Sequence, residues 1–130
     1  MNILVGYDDS KPSKKALQLA VTYARAFEGN IIVMTSRVGG RETSAENIEK
    51  AEKYLAAVAS QLEAEGIPFK THLLVRGLSP GEDIVRFAEE KNADQIIVGV
   101  KRRSNVGKMV FGSNARYVIL NAPCPVVTVR

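Results

Sequence analysis

The chain has one cysteine, one histidine and only 6% aromatic residues. Each scarcity removes a kind of chemistry. Cys124 alone cannot close an internal disulfide, which fits a reducing compartment, and the expected location is the cytoplasm. His72 has no cysteine or carboxylate at ligand spacing, so no metal centre is expected. Without a G-x-S-x-G turn or a Cys/His pair, hydrolytic and redox chemistry lack a catalytic constellation, and no catalytic residue is assigned. No stretch approaches the roughly 20 apolar residues of a membrane span, and residues 1–6 run straight into a strand-like pattern without a basic leader. Two phosphate-binding patterns are missing as well. The dinucleotide pattern G-x-G-x-x-G does not follow the first strand, and around Gly107-Lys108 a P-loop fails because Arg102 stands for its first glycine and Met109 for its hydroxyl.

What is present is the makings of a core. With 45% hydrophobic and 25% charged residues over 130 positions, the chain can bury a core without disulfides or metals, and one domain covering residues 1–130 is expected. The formal charge of +4 suits an anionic partner, although a solvated basic surface accounts for it equally well.

Strands and helices alternate along the chain. Residues 2–7 are an apolar run, as in a central parallel strand covered on both faces. Over residues 13–28, Leu17, Ala20, Val21, Ala24 and Phe27 recur at helical spacing, and Gly29 closes that helix. A second strand is expected at 31–34. A helix follows from Thr43 or Ser44, with Ile48, Ala51, Leu55, Val58 and Leu62 on its stripe, until Gly66 and Pro68. Residues 69–75 alternate with Lys70 and His72, which suits a strand nearer an edge. Ser79-Pro80-Gly81-Glu82 matches a capping box and opens a helix to about residue 92. A fourth strand at 95–98, a helix at about 113–121 and a fifth strand at 125–129 complete the pattern.

This alternation calls for an α/β fold: an open parallel five-stranded sheet with helices on both faces and right-handed crossovers. Ligands of such sheets bind beyond the carboxyl ends of the strands, where strand order reverses. The ends of strands one (Gly6, Tyr7, Asp8) and four (Gly99 onward) are therefore the places to search. Residues 99–114 leave a strand, carry Lys101, Arg102, Arg103 and Lys108, and enter a helix through Gly112-Ser113. Free N–H groups and the positive dipole end at that helix start suit an anion.

Gly99 and Gly112-Ser113 also sit at the spacing of the pattern G-x2-G-x9-G-[ST], with Arg102 in place of its second glycine. Together with Tyr7-Asp8-Asp9-Ser10, with Ser-Pro-Gly-Glu-Asp-Ile at 79–84 and with the ending from Ala122 to Val129, this makes the whole chain resemble a universal stress protein. The resemblance implies a Rossmann-like sheet of the adenine nucleotide alpha hydrolase type with strand order 3-2-1-4-5. It implies a stress-response or signalling protein that holds ATP or AMP, with or without magnesium, and that is at most a weak ATPase. Gly6, Tyr7 and Asp8 would lie near the adenosine and backbone groups around Ser36 near the adenine. Val98 and Gly99 would flank base and ribose, and Gly112, Ser113 and Asn114 would hold phosphates. Lys101 and Arg102 enter as cations of the same loop; Arg102 either intrudes on the pocket or holds a phosphate through its fork of donors. The PP-loop and His-Ile-Gly-His signatures of related enzymes are absent. A homodimer through the last strand is the expected assembly, since that strand lies at a sheet edge in the family.

Plainer readings stand beside these. Asp8 can cap the first helix, the loop cations can be solvated, and Gly112-Ser113 can start a helix with no ligand. His72 would then face solvent or a neighbouring strand, Cys124 would pack in the interior, and Tyr7 and Tyr117 would be packing aromatics. The alternative function is a dimeric interaction protein in which Arg102 has closed a vestigial site. The loop cations lack interleaved aromatics, so nucleic-acid binding is not expected.

Overall fold

The computed structural model describes residues 1–101 and 111–130. Its elements run β1 (Asn2–Gly6), α1 (Lys11–Phe27), β2 (Asn30–Arg37), a short 3-10 turn (Gly40–Glu42), α2 (Ala45–Ala64), β3 (Phe69–Val75), α3 (Pro80–Glu90), β4 (Gln95–Gly99), α4 (Ser113–Asn121) and β5 (Val126–Val129). All neighbouring strands pair in parallel, in the order β3-β2-β1-β4-β5, with Leu4 level with Ile32 on one side and Ile96 on the other.

Period-two alternation divides the sheet between two cores. Ile3, Val5, Ile31, Val33 and Ile97 face α1 and α2, where Leu17, Ala20, Leu55, Val58 and Leu62 meet them. Leu4, Ile32, Met34, Ile96 and Val98 face α3 and α4, against Val85, Phe87, Ala88 and Val118. Each such aliphatic side chain contributes about 1.5–3 kcal/mol on full burial. After β3 the chain crosses over α3 to β4 on the far side of β1, so strand order reverses between β1 and β4, and the chain leaves their carboxyl ends toward helices on opposite faces.

Helix starts follow side-chain chemistry. Ser10 accepts from Ser13 N–H at 3.3 Å and Ser44 from Asn47 N–H at 3.1 Å. Ser79 caps α3, but the reciprocal half of the expected capping box differs: Glu82 accepts the Ser79 hydroxyl proton at 2.8 Å.

Several boundaries and faces depart from the periodicity. Helix α1 starts at Lys11, two residues before the expected position, because Ser10 caps it. Glu28, not Gly29, takes the left-handed C-cap conformation (φ 51°), and Gly29 is held small by Met1, whose carbonyl oxygen would lie 2.9 Å from a Cβ. Phe27 is 62% exposed and packs on Tyr23 rather than on the core. Strand β2 runs to Arg37, beyond the expected end at 34, because its polar residues find buried partners: Thr35 Oγ1 donates to Tyr7 O at 2.6 Å and Ser36 Oγ to Asp83. His72 faces neither solvent nor another strand alone. Its ring stands edge-on to Phe87 at 4.9 Å, and its Nε2 is buried without a partner among the described residues. Cys124 is half-buried against the α3/α4 core, and that burial pushes its thiol pKa up.

Candidate functional site

A cavity of about 220 Å³ opens at the carboxyl end of the sheet, where β1 and β4 part. Strand β1 and the residues after it contribute Gly6, Tyr7 and Asp8, β2 contributes Met34, Ser36 and Arg37, and β4 contributes Val98 and Gly99. Pro80 and Ile84 come from the start of α3, Asn114, Ala115 and Val118 from α4, and Ser13 from α1. Gly6 makes room at the centre: a Cβ there would stand 3.2 Å from both Ile84 Cδ1 and Val98 Cγ1.

Of the residues expected from sequence, Gly6, Tyr7, Asp8, Ser36, Val98, Gly99 and Asn114 come together around this cavity. Lys101 is exposed and does not line it; Gly112 and Ser113 do not line it either, but they directly precede Asn114. Arg102 lies outside the described residues, as do residues 103–110 of the same loop, Arg103 and Lys108 among them. Ser13, Met34, Arg37, Pro80, Ile84, Ala115 and Val118 line the cavity without having been expected as site residues from the sequence. The capping box placed the start of α3 in the chain, but only the crossover brings it beside β1 and β2.

Asp8 stands at the mouth. Partial burial pulls its carboxyl upward, but hydrogen bonding from Ser10 and the nearby Ser13, with the Lys101 charge, outweighs this and holds it below the usual 3.8. Its Oδ1 accepts from Ser10 N–H at 3.0 Å, so it braces the approach to α1, while Ser10 and not Asp8 caps that helix. Tyr7 is a packing aromatic: its ring meets Tyr54 edge-on at 5.6 Å, and its hydroxyl donates to Asp9 at 3.4 Å. Burial and the Asp9 charge push that phenol up to about 12, so it stays protonated.

Asn114 joins two helices at the rim, its Oδ1 accepting from Gly81 N–H at 2.9 Å. Gly81 allows this closeness, since a Cβ there would lie 2.8 Å from Asn114 O. Helix α4 starts at Gly112 without a side-chain cap. Its first N–H groups have no intrahelical acceptor and, among the described residues, no capping side chain, and they carry the positive end of the dipole. A Cβ on Gly112 would meet nothing within 4 Å among the described residues, and its φ of −64° suits any residue. Neither backbone conformation nor packing in the described structure calls for glycine there.

The sequence pattern of the universal stress protein family matches residues 1–130, the full length of the sheet and its helices. The chain belongs to the universal stress protein family. It is similar to a universal stress protein of Thermus aquaticus from the QAH/OAS sulfhydrylase 3' region, at 31% identity over 98% of this chain and 97% of that one. Among solved structures it resembles a universal stress protein of Archaeoglobus fulgidus, with a TM-score of 0.88 and 37% identity over 100% of this chain and 93% of that one. A second structure of the universal stress protein from that organism, in complex with dAMP, matches with a TM-score of 0.85 and 37% identity over 100% and 98% of the two chains. The strand order expected of a universal stress protein is the one observed. Among the described residues no helix is long and apolar enough to cross a membrane.

Proposed function

We propose that this universal stress protein binds an adenine nucleotide, ATP or AMP, in the cavity between β1 and β4, and signals occupancy to a partner rather than turning the nucleotide over. The observation that carries the reading is the convergence on one crevice of the Asp8 carboxylate, Gly6 and Gly99 at the strand ends, and the first turn of α4, which has no side-chain cap among the described residues. The dAMP complex of a 37% identical relative supports it. Asp8 would accept from ribose hydroxyls, and the N–H groups following Gly112 would take phosphate, with the Ser113 hydroxyl beside them. Among the described residues a Cβ at Gly112 would meet nothing within 4 Å, which suits such an approach. Among the described residues no three carboxylate, histidine or cysteine groups converge, so a magnesium ion would arrive on the phosphates.

The assembly belongs to the same reading. Among the described residues strand β5 pairs with β4 alone, and α4 exposes Tyr117, Ile119 and Leu120, the last at 74%. An unpaired edge next to exposed apolar residues suits a second copy of this chain.

Titration calorimetry of nucleotide-stripped protein with AMP and ATP, with and without magnesium, tests the function. Saturable binding that survives moderate salt is expected. No heat from folded protein would leave a dimeric interaction protein with a closed site.

A further inference from the structure

Beneath the cavity, α3 carries a carboxylate that the sequence reading did not single out. Asp83 has no exposed surface. Its Oδ1 accepts from Arg76 Nε at 2.7 Å and pairs with Arg76 Nη2, while its Oδ2 accepts the Ser36 hydroxyl proton at 2.7 Å. Arg76 is fixed from its other side, donating through Nη1 to both oxygens of Glu90 at 2.9 Å and lying over the Phe87 ring at 5.6 Å. Ser36 is 6% exposed, lies on the Met34 face of β2 and lines the cavity.

A hydroxyl has one proton, and a carboxylate can only accept. With the Ser36 proton committed to Asp83, the lone pairs of Oγ are what this side chain offers a ligand. We propose that Arg76 and Asp83 hold Ser36 as a hydrogen-bond acceptor, and that this selects a base presenting an N–H donor, such as the adenine amine, over one presenting a carbonyl. The inference rests on the nucleotide reading of the cavity and adds its base specificity. A carbonyl set against Oγ would place two acceptors together in a buried site, where unpaired polar groups are most costly. A buried ion pair is a weak source of net stability, and this one reaches the cavity through the Ser36 Oγ.

The test is competitive binding of AMP and inosine monophosphate, which carries a carbonyl in place of the amine, to the full chain. The wild type is expected to prefer AMP by about tenfold or more, as one buried hydrogen bond implies. In Asp83→Asn, Oδ1 can stay on Arg76 while the amide donates to Ser36, turning the serine proton toward the cavity. The AMP preference should then fall by about tenfold, toward or past parity. Ser36→Ala removes the acceptor, leaves Asp83 paired with Arg76, and should bring the ratio close to one; it decides alone where Asp83→Asn does not fold. Comparing ratios isolates Ser36 from every other contact to the base. Equal affinities in the wild type, or an unchanged ratio in folded variants, overturn the selection while leaving nucleotide binding intact. Binding of neither nucleotide by the wild type overturns both.

Discussion

Gly99 and Pro12 meet backbone to backbone: a Cβ on Gly99 would stand 2.5 Å from the Pro12 carbonyl carbon, with Ser13 N at 2.6 Å. The first turn of α1 thus lies directly on the end of β4. This contact explains the first glycine of the family pattern by packing alone. Gly112, at the far end of the pattern, has no such neighbour among the described residues.

The two glycines should therefore separate in experiment. Gly99→Ala is expected to destabilise by roughly 1–3 kcal/mol or more, since α1 must shift to admit a methyl group. Gly112→Ala should change stability by less than about 1 kcal/mol, because a reduced unfolded-state entropy opposes a poorer helix cap. Its effect should appear in calorimetry, as a severalfold loss of AMP affinity. Urea denaturation of both variants checks the first claim, and a large loss of stability in Gly112→Ala would show that the fold needs this glycine.

Asp8→Asn should weaken AMP binding by about tenfold, the loss of one charge-assisted hydrogen bond. It should also alter acid stability. The folded pKa of Asp8 lies below its ordinary 3.8, so its stabilising contribution is present above 3.8 and is lost as pH falls through the lower folded value. Thermal melts across that acid range should fall less steeply in the variant. Parallel curves would mean that the carboxylate gains nothing on folding.

His72 is the chain's only histidine, so its titration can be followed without assignment. Burial, with the nearby Lys91 and Lys70 charges, pushes its imidazole pKa below 6.5. The stability tied to the neutral ring is present above 6.5 and declines as pH drops through the folded value. Proton NMR should show a single imidazole midpoint below 6.5, and His72→Gln should remove that part of the pH dependence. A midpoint at or above 6.5 would place the ring in water.

Val129 O accepts from Val100 N–H and Pro125 O from Ile96 N–H, so the odd-numbered residues of β5 bond inward to β4. By alternation, Val126 and Thr128 turn their backbone groups to the free edge. Thr128 is exposed, so Thr128→Pro removes an outward donor with little disturbance of the core. If a second copy pairs along β5, this variant should be monomeric by light scattering at concentrations where the wild type is dimeric. An undiminished dimer would move the interface elsewhere.

Local chemistry made much of the fold legible. Ser79 marked one helix start and the pair Thr43-Ser44 another to within a residue, the alternation over Phe69–Val75 marked a strand nearer an edge, and Gly112-Ser113 marked the start of α4, because caps and periodicity act within a few residues. The strand ends at Tyr7-Asp8 and Val98-Gly99 were legible as a crevice, since a parallel sheet with one reversal of order has few places for a ligand. The apolar pattern left Thr35 and Ser36 outside β2, because their polarity is satisfied by Tyr7 and by Asp83, 28 and 47 residues away. For the same reason Asp83 passed as an ordinary charge in the first turn of a helix. By itself the sequence determined the order and type of the elements. Which polar groups became interior, and which glycine serves packing rather than the site, was decided only in the tertiary structure, where the partners that desolvate and satisfy them come from distant elements.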